Sequence, residues 1–184
     1  MELNIMKKSL LTITLFAMTA GLSVSASAVD GTINFQGVVN STTCTVDLSS
    51  QDLTVLLPSI KSSDFASANT AATSPAVKFT LKATGCEGGT VGAAAVFATG
   101  GNVDATNGNL NNTLTDGTDA QVRIYKADGV TPINLANFGE SAENIGTVTG
   151  SDVSIDFYAN YFSKNATATS GLLRTSIQYS MQYL

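Results

Sequence analysis

The side chains that could do chemistry in this 184-residue chain are few, and the first to weigh are its two cysteines, Cys44 and Cys86. A catalytic or redox thiol needs a base or an electropositive setting, and the chain has no CxxC and no histidine. The carboxylate pairs Asp116/Asp119 and Asp152/Asp156 could be imagined as glycosidase acids or calcium ligands. Their spacing matches no EF-hand. The first pair flanks a turn, and the second falls on the polar side of an alternating segment, where solvated carboxylates belong. No Ser-x-x-Lys or Gly-x-Ser-x-Gly provides an activated serine, so the expectation is no catalysis, no metal and no cofactor. Sequons around Asn40, Asn111 and Asn165 arise easily in so Thr-rich a chain and carry little information.

The elements that must position these residues begin with a leader. Lys7 and Lys8 precede an apolar run from Leu10 to Leu22 and a small-x-small site at Ala26-Ser27-Ala28. The run is shorter than the roughly 20 residues a membrane span needs, so residues 1–28 read as a secretory signal. Export makes an intramolecular Cys44–Cys86 disulfide the default expectation. The formal net charge of -5, made more negative by removing the leader, argues against nucleic acid as a partner. The rest suits one domain.

Strand periodicity dominates that domain. Period-two patterns are expected over 32–40, 43–48, 53–57, 76–83, 91–98, 120–126, 153–162 and 171–184. Gly88-Gly89, Gly100-Gly101, Asn107-Gly108, Asp116-Gly117 and Asp128-Gly129 supply turns between them. Residues 58–75 read as irregular with room for a short helical turn, and 99–112 as an exposed loop or hairpin. The fold class is therefore all-β, a sandwich or barrel.

The last segment alternates most strictly. Gly171, Leu173, Thr175, Ile177, Tyr179, Met181 and Tyr183 share one face, and Leu172, Arg174, Ser176, Gln178, Ser180, Gln182 and Leu184 the other. With no later strand in the sequence, its far edge is expected to be covered by a strand from elsewhere. Main-chain bonds and alternate side chains of a second molecule can supply such a cover. Repeated head to tail, the contact builds an open filament.

The run from Gly31 to Val39, Cys44-Thr45-Val46-Asp47, the run from Phe79 to Cys86, Phe157-Tyr158-Ala159-Asn160-Tyr161, Gly171 fourteenth from the end and Tyr183 penultimate together resemble the pilin subunits of chaperone-usher fimbriae, especially the type 1 major subunit. The resemblance covers essentially all of residues 29–184. It implies an incomplete immunoglobulin-like β-sandwich, the pilin fold, whose domain spans 43–184 and whose missing strand is donated by residues 29–42 of another subunit. Ile33, Phe35, Gly37 and Val39 would form the donor face. Gly171, Leu173, Ile177, Tyr179, Met181, Tyr183 and Leu184 would form the acceptor groove and the determinant read by a periplasmic chaperone. The partners so implied are related pilin subunits in a head-to-tail polymer, that chaperone and an outer-membrane usher, on a route through the periplasm to a cell-surface fimbrium. A minor adaptor, or a tip-associated subunit binding through the 99–112 loop, is the alternative.

Overall fold

In a computed structural model of the chain, residues 44–87, 92–137 and 145–184 are described. The leader and the whole donor segment, with Ile33, Phe35, Gly37 and Val39, lie outside them. The elements are β1 (Thr45–Val46), α1 (Leu48–Gln51), β2 (Thr70–Ala71), β3 (Val77–Thr84), β4 (Gly92–Phe97), β5 (Gln121–Tyr125), β6 (Ile145–Thr149), β7 (Asp152–Ser163) and β8 (Tyr179–Tyr183).

The architecture is a β-sandwich organised by β7. Its odd residues Val153, Ile155, Phe157 and Ala159 are buried and its even residues begin exposed, the alternation of a strand with one core face. One edge of β7 carries β3 along seven residue pairs, from Val77↔Ala159 to Ala83↔Val153, and then β2. The other edge carries β5, with Ile124↔Ala159, and the end of β6. β6 then changes partner: Val148 and Thr149 face β7, while Ile145, Gly146 and Thr147 face β4. It thus passes the chain into a second layer of order β6-β4-β8. Gly146 is required at this crossing because a Cβ there would lie 2.5 Å from the Ser154 carbonyl oxygen.

The core between the layers draws Leu81, Ala83, Ala93, Ala95, Phe97, Val122, Ile124, Ile155, Phe157, Met181 and Tyr183 together. Phe157 is fully buried, with Phe79 stacked 5.5 Å from it and Phe97 edge-on at 5.2 Å. The bond between Cys44 and Cys86 joins the start of β1 to the chain just beyond β3, with Cα atoms 4.2 Å apart.

Several local expectations are corrected. Of the described part of 43–48, Thr45–Val46 pair with β3 and the Asp47 N–H adds one bond to Lys82 O at 3.0 Å, after which the Asp47 carboxylate accepts from the Ser49 N–H at 2.8 Å and caps α1. The helical turn therefore sits at 48–51, and not in 58–75, where the short strand β2 and a bridge between Phe65 and Ala72 occur. Residues 53–57 alternate in burial but join no ladder. β6 was not expected at all, since Ile-Gly-Thr-Val-Thr places one large apolar residue outward and a glycine inward. The 99–112 stretch is a hairpin bridged at Val103↔Leu110, and it is not simply exposed: Asp104, Asn109 and Leu110 are buried.

Candidate functional site

The terminal segment is the site, and its geometry follows from alternation. Met181 and Tyr183 are buried, Leu173, Thr175, Ile177 and Tyr179 half-buried, while Leu172, Arg174, Ser176, Gln178, Ser180 and Leu184 are exposed. Residues 171–184 therefore run as one inward and one outward row. Only Tyr179–Tyr183 are laddered, antiparallel to β4 from Ala93↔Tyr183 to Phe97↔Tyr179. Gly171 through Gln178, expected to be part of the same strand, are not, because the β4 ladder ends at Phe97 and only Ala98 N–H continues it, donating to Gln178 O at 2.8 Å.

In a ladder the N–H and C=O of one residue point the same way, and the direction reverses at the next residue. The bonds of Leu184 N–H to Gly92 O and of Ala98 N–H to Gln178 O assign the even residues of the segment to the β4 side. Leu172 and Arg174 obey the same parity: Thr118 N–H donates to Leu172 O at 3.1 Å and Thr113 N–H to Arg174 O at 2.8 Å. One edge is thus bonded along the segment, first by the 112–118 loop and then by β4. The opposite edge belongs to Leu173, Thr175, Ile177, Tyr179 and Met181. Among the described residues nothing bonds the main-chain groups of these five.

A second stretch has the same character. Residues 53–60 exchange no main-chain hydrogen bond with described residues. Val55 and Leu57 nevertheless face inward onto the core that Leu173, Ile177 and Tyr179 also touch, while Leu56 is 81% exposed. Val46 joins them on the core. The terminal segment is tied by phenols to the chain just ahead of that stretch: Tyr179 donates to Ser50 O at 2.7 Å and Tyr183 to Cys44 O at 3.1 Å. Burial pushes both phenols above their ordinary range, so they remain protonated donors. Together the two stretches present two apolar rows whose main chains find no partner among the described residues, an arrangement that could pair an extended strand.

The structure thus brings Leu173, Ile177, Tyr179, Met181 and Tyr183 into one row. Gly171 lies at its start against Gly117, where a Cβ would be 2.7 Å from Thr118 N. Leu184 points outward at the other end. Sequence reasoning missed Val46, Val55 and Leu57 as the opposite wall, although the alternation of 53–57 carried the signal. It also missed Asn112, seen only as part of a chance sequon.

Two of the carboxylates considered for catalysis, Asp156 and Asp119, have structural partners. Asp156 pairs with Lys78 at 2.9 Å and accepts from Thr80 at 2.7 Å, and the Lys78 ammonium holds it below the usual range. Burial pushes Asp119 up, but Thr169 N–H, Thr169 hydroxyl and the Asn165 amide outweigh it. A further polar knot lies outside β5, where Asp104, buried, meets Lys164, Thr106 and Gln121. The Lys164 ammonium foremost, and then the Thr106 bonds, hold Asp104 well below the carboxylate range. Among the described residues no cluster of three His, Cys, Asp or Glu side chains could hold a metal ion.

Comparison with known proteins agrees with this geometry. The family profile described as "Fimbrial protein" matches residues 33–183. The chain is 32% identical over 173 residues to the F17 fimbrial protein of Escherichia coli, covering 90% of this chain and 94% of that protein. It is 35% identical over 177 residues to the major fimbrial subunit SMF-1 of Stenotrophomonas maltophilia, covering 90% and 99%. Among solved structures, the P pilus rod subunit PapA superposes with a TM-score of 0.50 at 17% identity, over 83% of this chain and all of that one. The CupB6 tip adhesin of Pseudomonas aeruginosa superposes with a TM-score of 0.59 at 13% identity, over 75% of this chain but 37% of the adhesin. At these identities the superpositions speak for the fold.

Proposed function

Since the chain belongs to the fimbrial protein family and is a structural subunit of a cell-surface fimbrium, we propose that its terminal segment is the acceptor for an extended strand donated by the next subunit. The observation that carries this reading is the edge formed by Leu173, Thr175, Ile177, Tyr179 and Met181, inward in side chain and without main-chain partners among the described residues.

The donor is residues 29–42, with Ile33, Phe35 and Val39 filling the half-buried row. Gly37 sits where the backbones approach most closely. Each large apolar side chain so buried contributes roughly 1.5–3 kcal/mol, and new ladder bonds add to it. Before assembly a periplasmic chaperone covers the same edge, with Leu184 at the outer end of the segment as its handle, and an outer-membrane usher hosts the exchange. Residues 1–28 direct export, after which Cys44 and Cys86 oxidise in the periplasm. The family is one of structural proteins, and the likeness to major subunits favours the shaft over the tip. Replacing Gly37 by Arg in the full chain is expected to leave a soluble, oxidised subunit and to abolish fibres by negative-stain electron microscopy. Normal fibres from that variant would overturn the reading.

A further inference from the structure

We propose that Asn112 is a positioning residue for strand uptake: its carboxamide stands in for the missing rungs of β4 and sets how far along the terminal segment the open edge is held ready to pair. The proposal rests on the strand-acceptor reading above.

β4 supports the segment only from Gln178 onward. Ahead of that point the main chain gives the bonded edge only two single rungs, Thr118 N–H to Leu172 O and Thr113 N–H to Arg174 O, and the N–H groups of that edge have no main-chain acceptor among the described residues. Asn112 fills the gap with a group chemically equivalent to a peptide unit. Its Nδ2 donates to Leu172 O at 2.8 Å, and its Oδ1 accepts from Arg174 N–H at 2.9 Å. The remaining valences close on its own loop, Nδ2 to Thr118 O at 2.9 Å and Oδ1 from Leu114 N–H at 3.1 Å. All four hydrogen-bonding positions of the amide are used on main chain.

Neighbours reinforce the rung. The Thr113 hydroxyl donates to Arg174 O at 2.8 Å, and the Asn102 amide reaches the Thr175 hydroxyl. The approach is possible because two glycines face each other. A Cβ on Gly117 would fall on Asn112 Nδ2 and Leu172 O, and one on Gly171 would meet Gly117 and Thr118. The outcome is that Leu173 and Thr175 present their N–H and C=O groups on the open edge in an already extended chain, which lowers the ordering cost of pairing a donor there. Loss of Asn112 shortens the usable edge to Ile177 and beyond.

The test uses the full chain, as wild type, Asn112→Ala and Asn112→Asp, with fluorescent peptides of residues 29–42, 33–42 and 29–38. Capture and release are followed by native electrophoresis. In the wild type, one of the two shortened peptides, the one lacking the residues that face Leu173 and Thr175, is expected to dissociate roughly tenfold faster than the full peptide. In Asn112→Ala the full peptide should dissociate as fast as that shortened one, while the other truncation keeps its effect. Asn112→Asp keeps both acceptor contacts but sets a carboxylate oxygen against Leu172 O and Thr118 O, and should release the full peptide at least as fast as Asn112→Ala. Hydrogen exchange on the unmodified chain needs no variant: the Arg174 amide should exchange slowly throughout, and the Leu173 and Thr175 amides quickly before peptide is added and slowly after. Peptide capture with release rates indifferent to Asn112, or an Arg174 amide as fast as that of Leu173, overturns the proposal alone. Failure of the wild type to capture any of the peptides overturns the strand-acceptor reading, and this proposal with it.

Discussion

The phenol of Tyr183 donates a hydrogen bond to the carbonyl oxygen of Cys44, 3.1 Å away and 139 residues earlier in the chain. The contact joins the terminal strand to the half-cystine beside β1, so that strand and the disulfide are parts of one unit. Tyr179 repeats the contact four residues earlier, onto Ser50.

Each phenol bond is expected to contribute about 1 kcal/mol. Tyr183→Phe and Tyr179→Phe should each lower the unfolding free energy of the oxidised subunit by that amount, seen as a lower urea midpoint with the slope of the transition unchanged. A midpoint equal to that of the wild type would show that water replaces the contact at no cost.

The Cys44–Cys86 bond spans a sequence separation of 42. In the chain-entropy account its removal costs about 4 kcal/mol, a large share of the stability of a single domain. Cys44→Ser is expected to accumulate far less folded subunit, and thermal unfolding of what is recovered should begin well below that of the oxidised wild type.

Gly117→Ala places a methyl group against main-chain atoms that cannot move aside without opening the loop. The expected destabilisation is roughly 1–3 kcal/mol, the range for overpacking. Loss of protection at the Arg174 amide in hydrogen exchange should accompany it, since the loop and the terminal segment separate together.

Asp104 carries a pH dependence with a definite sign. Its carboxyl is held low in the folded chain, foremost by the Lys164 ammonium, while in the unfolded chain it titrates at about 3.9. A depressed carboxylate contributes stability that is present in full above the unfolded value and is lost as pH falls toward the folded one. Asp104→Asn should therefore be markedly less stable than wild type at pH 7, and the gap should narrow steadily below about pH 4. Denaturant midpoints of both proteins at pH 7, 4 and 2.5 measure it. A gap independent of pH would mean that the ion pair is not what holds the carboxyl low.

How much of this was legible in the sequence differs by element. The inward row of the terminal segment is readable because burial there follows parity from Leu173 to Tyr183, whatever the ladder does. The ladder itself is not readable. Whether 171–178 pair depends on where β4 stops, and β4 stops at Phe97 with the Ala98 N–H as its last bond to the segment, a fact of the neighbouring strand. Residues 53–57 show the converse: Val55 and Leu57 alternate correctly and still join no ladder among the described residues. β6 escaped notice because its inward residue is a glycine. The 99–112 hairpin misled because Asn, Asp and Gly report turns, yet Asp104, Asn109 and Gln121 satisfy one another's polar atoms closely enough to be buried. Asn112 has no signature in one sequence, since an asparagine acting as a peptide unit looks like any loop asparagine.

The register of β4 against β8 sets Ala93 opposite Tyr183, Ala95 opposite Met181 and Phe97 opposite Tyr179. In the first two of these pairs volume is apportioned to the pair and not to the residue: where β8 is bulky β4 is pared to a methyl, and Ala93 and Ala95 are left with no exposed surface at all. An enlarged residue at 93 or 95 could be accommodated only by a simultaneous shrinkage at 183 or 181, on the strand proposed above as part of the acceptor. Drift in an apparently featureless run of alanines is thereby coupled to the shape of the terminal segment, so that β4 and β8 can diverge only in step.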